Sequence, residues 1–307
     1  MNGSLGRDKV WNQQIWSDID KAVQEEVGRI RVAQKVFPST VVNNVLPVST
    51  NRVVPFGFLA APPPSPPTPG DDQFQPLFEI STEFVLTQAQ VDAEENVHLA
   101  SSLARVAAST IADAEDAVLF LGPGFVPPII ALTGVTVTNQ AGVPPGFVAE
   151  AGNYPPTTLV PPVVGPPPGY DILTAVAAGM AALNGRDQPG PYALFLSPNR
   201  YAQTFAQPAQ GLLLTPGDQL SHVVTGGFYM VNRLAVTYVG LAFLVPPPFD
   251  DIGILVSLGG EPTKIILGTD ATTAFTFTDA QGNYHFRVFE RIQMVVRDGR
   301  AFQILQF

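Results

Sequence analysis

The order of hydrophobic and polar positions along the chain sets out elements of both helical and strand period. Trp11, Ile15, Ile19, Val23, Val27 and Ile30 recur every three or four residues, which predicts one amphipathic helix over Asp8 to Val36. Acids (Asp18, Asp20, Glu25, Glu26) precede the bases Arg29, Arg31 and Lys35, an order that suits the helix dipole, and Phe37-Pro38 ends the run. Leu77 to Leu86 alternates as a strand does. A long helix is then expected from Gln90 or Asp92 to Phe120, burying Val97, Ala100, Leu103, Ala104, Ala107, Ile111, Ala114 and Val118. A shorter helix, Asp171 to Leu183, stops at Asn184-Gly185. Pro191 to Leu196 reads as a buried strand, and Ser197-Pro198-Asn199 opens another helix with serine as N-cap and proline at the first turn. The C-terminal third is β-rich, with strands expected at Ile252–Leu258, Thr263–Leu267, Thr272–Thr278, Tyr284–Arg297 and Ala301–Phe307. The whole is an α+β pattern in which strands from both ends of the chain share a sheet.

Proline punctuates this pattern. Residues 60–72 carry six prolines in a stiff, polyproline-like run that cannot pair inside a sheet. This run is a projecting arm or, alternatively, an ordinary linker. A second proline-rich stretch, Gly122 to Gly169, holds two β-prone pieces, Ile129–Thr138 and Thr157–Val164. The most apolar run, Leu234 to Val245, falls short of the ~20 residues that span a bilayer and reads as a buried strand or strand pair. The N-terminus carries Asp8, Lys9, Asp18 and Asp20 where a signal peptide needs an apolar core, so a soluble, non-exported protein is expected.

Composition narrows the function classes. Only 14% of the 307 residues are charged, against the usual ~25%, which implies that much surface is hidden in a core or against other subunits. A net charge of −10 without a basic stripe argues against nucleic acid as a partner. The absence of cysteine excludes disulfides, thiolate zinc sites and a cysteine nucleophile. His98, His222 and His285 lie far apart, and the glycine pairs lack phosphate-loop or dinucleotide spacing. The acid pairs at Asp71-Asp72, Glu94-Glu95 and Asp250-Asp251 sit beside turns or helix starts and read as solvated. Glu115 and Asp116 are different. Near the end of the long helix they oppose its dipole, so they are expected to answer a basic partner or a backbone donor. No catalytic residue is expected.

Five stretches, in order, carry a family resemblance: the helix Val10 to Phe37 with Trp16; Pro76 to Ile80 with Phe84-Val85-Leu86; Ala114 to Gly122; Gly190 to Ser197 with Arg200-Tyr201; and Ile265 to Asp270 with Phe286 to Arg291. Through them the chain resembles the encapsulins, bacterial and archaeal proteins that assemble into hollow icosahedral compartments and are similar in fold to tailed-phage major capsid proteins. The resemblance implies an N-terminal lumen-facing helix (1–37) and an extended strand with a proline-rich loop (38–82). It also implies a peripheral domain with a long spine helix (83–125 and 256–307) and a mixed α/β axial domain (126–255). Relative to the family, Gly122–Asp171 is longer and richer in proline, and Ala235–Phe249 looks inserted.

The function so implied is that of a self-assembling cytoplasmic shell of about sixty copies by default, enclosing a cargo enzyme held by a short terminal peptide. The alternative is a phage or prophage major capsid protein. Against it, the predicted helix starts within ten residues of Met1, with no scaffolding segment before it, and no lysine lies between 50 and 80 for a loop crosslink. By resemblance, cargo docks on Ile15, Ile19, Val23, Val27, Arg29, Ile30 and Val32 beside Phe302 and Ile304. A five-fold pore loop would hold Gln207, Gln210, Gly211, Leu212, Leu213, Leu214, Thr215 and Asp218. Some family members stack a flavin on a tryptophan after the Phe84 strand. Here Thr87 to Gln90 contains no aromatic residue, so neither flavin nor any metal or other cofactor is expected.

Overall fold

A computed structural model describes residues 5–42, 48–50, 73–126, 133–158, 169–206, 214–234 and 251–307. The proline-rich run at 60–72, most of the expected pore loop and residues 235–250 lie outside them.

The N-terminal segment is interrupted where the sequence predicts one helix. A 3-10 turn at Arg7–Lys9 precedes α1 (Gln13–Ile30), and after a break α2 (Ala33–Val36) follows. Asn12 caps α1 by accepting the Ile15 N–H at 3.0 Å. Arg31 leaves the helix with φ −48° and ψ 130°. Long-range partners cause this break: the Arg31 side chain turns into a buried set of carboxylates, and Asp116 takes the first free N–H groups of α2. The buried stripe of α1 is Trp16, Ile19, Ala22, Val23 and Val27, whereas Trp11, Ile15 and Ile30 are half-buried.

The predicted long helix is also divided, into α3 (Gln88–Asp92), α4 (Glu94–Val97) and α5 (Leu99–Leu121). Thr87 and Gln90 form a capping box at the start of α3. His98, with φ 54°, turns the chain between α4 and α5. The Glu94 carboxylate then caps α5, accepting the Ala100 N–H at 2.7 Å and the Ser101 N–H at 3.1 Å. The turn at His98 rotates Val97 out of the expected stripe into solvent, while Ala100, Ala104, Ala107, Ile111, Ala114 and Val118 are buried.

Two five-stranded sheets flank α5. The first runs β1 (Ser39–Val41), β10 (Thr263–Thr278), β11 (Tyr284–Val296), β4 (Phe78–Leu86) and β5 (Thr136–Thr138). β1 pairs parallel with β10, so segments from the two ends of the chain do share a sheet. The two strands expected at Thr263–Leu267 and Thr272–Thr278 are one strand, β10, with register shifts against β11 after Leu267 and Thr269. The shift falls at Gly268, where a side chain would strike Leu77. β2 (Val48–Thr50) and β3 (Gln73–Gln75) form a separate antiparallel ribbon.

The second sheet runs β6 (Thr157–Thr158), β12 (Phe302–Gln306), β9 (Ile252–Ser257), β7 (Tyr192–Leu196) and β8 (Gly227–Met230). The last strand of the chain is thus laddered to β9 rather than to β10 and β11. One face of this sheet is covered by α7 (Tyr170–Asn184), where Gly179 lets the helix approach Leu255 and Leu305. The other meets α6 (Phe147–Ala151) and the end of α5. There Phe37, Phe120, Phe147, Phe195 and Phe302 pack with neighbouring ring centroids 4.8–6.4 Å apart. This aromatic cluster joins the N-terminal segment, the spine helix and the second sheet in one core.

Candidate docking and assembly surfaces

α1 packs mainly against α5 and β10. The nine residues expected to form a docking groove therefore separate by environment. Ile19, Val23 and Val27 are fully buried and hold the helix to its own subunit. Phe302 and Ile304 are buried as well, and Phe302 meets the N-terminal segment at Phe37. Ile15, Ile30 and Val32 are half-buried, and Arg29 is exposed and paired with Glu26. The Arg29 guanidinium, hydrogen-bonded to Glu26, pulls that carboxyl below its ordinary range.

Two open clefts border this segment. One, of about 440 Å³, lies at the start of α1 between Arg7, Trp11, Trp16 and Asp20. Arg7 is fixed there by Asp20 at 2.7 Å, and Trp11 stacks on Phe286 at 4.8 Å. The other, of about 390 Å³, lies at the end of α2, where Lys35, Val36, Phe37 and Pro38 face Leu258, Glu261, Pro262 and Thr263. The wall opposite the helix end is therefore the β9–β10 connection. β12, expected in that position, contributes its side chains to the core.

Of the expected pore loop, Leu214, Thr215 and Asp218 are described and 207–213 are not. Thr215 caps α9 (Pro216–Val223) in a reciprocal box with Asp218. The Thr215 hydroxyl and N–H both donate to the Asp218 carboxylate and lower its pKa. Asp218 is thereby held ionised and directed at its own backbone. Among the described residues near this segment in the chain, Phe205, Leu214, Val223 and Met230 are 43–58% exposed. α8 (Pro198–Gln203), capped by Ser197 as expected, carries Arg200, which pairs with Asp171 at 3.1 Å and Asp251 at 3.5 Å.

The most charged interior site joins the α1–α2 break to α5 and the first sheet. Arg31, 4% exposed, pairs with Glu115, with Asp270 at 3.0 Å and with Glu290. Gln34 donates to Glu115 at 2.7 Å. Asp116 accepts the Val32 N–H at 2.8 Å and the Ala33 N–H at 3.0 Å. Glu115 and Asp116 thus answer a basic partner and backbone donors respectively, as their place against the α5 dipole implies. The sequence signal extended to these two residues. Arg31, Asp270 and Glu290 are distant in sequence and carried no such flag.

The sequence family Linocin_M18, described as encapsulating protein for peroxidase, matches residues 8–125 and 162–293. Among solved structures, the chain resembles a virus-like particle from Pyrococcus furiosus, with TM-score 0.61 and 13% identity over 94% of this chain and 98% of the other. It also resembles the capsid of Myoviridae phage XM1, with TM-score 0.56 and 12% identity over 90% and 91%. A Mycobacterium phage Ogopogo structure matches equally, with TM-score 0.56 and 12% identity over 90% and 91%. At these identities the likeness is one of fold, that of the tailed-phage capsid proteins. No curated protein sequence matches the chain significantly.

Proposed function

This chain belongs to the Linocin_M18 family of encapsulating proteins and is a shell protein, and from that premise we propose that it closes into a cytoplasmic icosahedral compartment around a cargo protein, with no catalysis of its own. The observation that carries the reading is the family match across both halves of the chain together with a fold shared, end to end, with a virus-like particle. Low charge supports it, since a shell subunit hides surface against its neighbours. About sixty copies is the smallest icosahedral number and the default. The family description names a peroxidase, which makes that enzyme class the first cargo to test.

We further propose that cargo docks at the half-exposed flank of the N-terminal segment. Ile30 and Val32 lie at the α1–α2 break, and Val36 and Phe37 line the adjoining cleft with Leu258 and Pro262. An extended peptide seats alternate side chains in such apolar recesses. Lys35 and exposed Arg29 are placed to meet acidic groups or carbonyls beside it. The loop before α9 is proposed to line the pore. With Asp218, in the first turn of α9, as the one charged group of 207–219, a ring of these segments would select weakly by charge.

Negative-stain microscopy of the purified protein tests the shell. Closed particles filled with protein are expected. Monomers and dimers alone would refute assembly, and particles filled with DNA would favour a phage capsid. Co-expression of cargo with Ile30→Asp or Val36→Asp shells tests the docking site. Intact but empty particles are expected, and full loading in both variants would remove this flank from docking.

A further inference from the structure

The interior charge cluster is out of balance. One guanidinium, Arg31, faces three carboxylates, Glu115 on α5, Asp270 on β10 and Glu290 on β11, with Asp116 one residue from Glu115. Complete ionisation would leave a net −3 (one positive charge against four negative). Glu115 and Glu290 are fully buried and Asp116 is 6% exposed. Glu290 Oε1 receives no N–H or hydroxyl hydrogen bond and has the Glu115 carboxyl as its polar neighbour, while its other oxygen is held by Arg31. A buried carboxylate oxygen without a donor is costly when charged and tolerable when it carries a proton.

The cluster also has a mechanical position. It sits where the N-terminal segment leaves helical geometry, and each of the three packed elements supplies one jaw. Asp116 holds the two N–H groups that start α2, and Arg31 ties the same joint to β10 and β11. The groups that face Arg31 are thus Glu115 and Asp116 from α5, Asp270 from β10, Glu290 from β11 and neutral Gln34 from α2.

We propose that this cluster is a proton-operated latch: with a proton retained among its carboxyls it seats the α1–α2 joint on α5 and the first sheet, and losing that proton loosens the joint while the remaining core stays folded. The electrostatics run in the required direction. Burial, above all, pushes Glu290 well above the ordinary carboxylate range. Arg31 opposes this, and the charges of Glu115 and Asp270 add to it. Burial and then the Glu115 charge raise Asp116 to about 7, against the backbone N–H groups of Ala33 and Val32. A carboxyl whose pKa is raised on folding stabilises the folded joint fully below its unfolded value, ~4, and that stability is lost as pH rises through the folded value. The latch is therefore closed in acid and opens towards alkaline pH.

Hydrogen exchange on the purified full-length protein, corrected for the intrinsic effect of pH, reads the latch directly through the amides of residues 31–37. Between about pH 6 and about pH 9 their protection is expected to fall roughly tenfold, while that of β7 and β9 stays level. Glu290→Gln, which is isosteric and permanently neutral, removes the titrating group that faces Arg31 and should flatten most of this fall, with Asp116 leaving a smaller residual slope. A level wild-type profile would overturn the proposal, as would an unchanged slope in Glu290→Gln. If that variant does not fold, Glu115→Gln is judged by the same criterion. Light scattering on the same samples reports whether particles persist, so a failed latch and a failed shell are separate results.

Discussion

Along β7, β9 and β12 every residue is buried, whereas β4 and β11 keep a partly exposed row that includes Glu83, Val85, Arg287 and Arg291. The second sheet is covered on both faces, by α7 on one and by α5 and α6 on the other. The first sheet is covered by α1 and α5, and its far face carries Glu79 held by Arg287 and Arg291 at 2.9 and 2.8 Å, with both guanidinia over Phe289. The contrast extends inward. Behind the second sheet the filling is mostly aromatic and aliphatic, with Glu150 and Asp251 as its buried acids. Behind the first, where the N-terminal segment is fastened, it includes an ionic cluster. One region is held mainly by apolar packing, and the other by a cluster of carboxyls around a single guanidinium.

The sharpest way to break this contrast is to remove the central cation. Arg31→Ala leaves Glu115, Asp270 and Glu290 facing one another and is expected to cost about 3–5 kcal/mol near neutral pH. In urea unfolding the loss should shrink towards pH 5, as the carboxyls take up protons. Leu255→Ala, at an apolar contact of the second sheet with α7, is expected to cost about 2–5 kcal/mol through the cavity it leaves, and by the same amount at both pH values. A pH-dependent loss in Leu255→Ala would undo the comparison. Ser197→Ala removes the cap of α8 and should cost about 1 kcal/mol. Smallest is Arg287→Gln on the half-exposed face, below about 1 kcal/mol and diminished further by salt, since Arg287 is partly open to water and Arg291 still holds Glu79.

The same contrast explains what the sequence disclosed. Two strands of the second sheet stand out as the apolar runs at 192–196 and 252–256, because burial on both faces leaves little room for polar residues, while β12 buries Gln303 and Gln306 among its apolar residues. Ser197-Pro198 and Asn184-Gly185 mark their helix ends by local chemistry, and the structure follows them. The breaks at Arg31 and His98 were not legible. Both interrupt good helical periodicity, and both are held by carboxylates: distant Asp116 caps the helix after Arg31, and nearby Glu94 the helix after His98. The division of β10 into two expected strands has a similar origin, since Gly268 reads as a break locally but is a bulge against Leu77. For the candidate docking site, periodicity identified α1 and its stripe. Val32 and Val36 lie off that stripe in the sequence as well, but periodicity could not separate the stripe residues consumed by α5 and β10 from half-buried Ile15 and Ile30.

The central claim is that many copies of this chain close into a shell, and the mass of the native particle tests it most directly. Charge-detection mass spectrometry of the purified assembly should give an integer multiple of about sixty subunit masses, with any excess accounted for by protein cargo. A mass of one or a few subunits under conditions that preserve non-covalent complexes would contradict it.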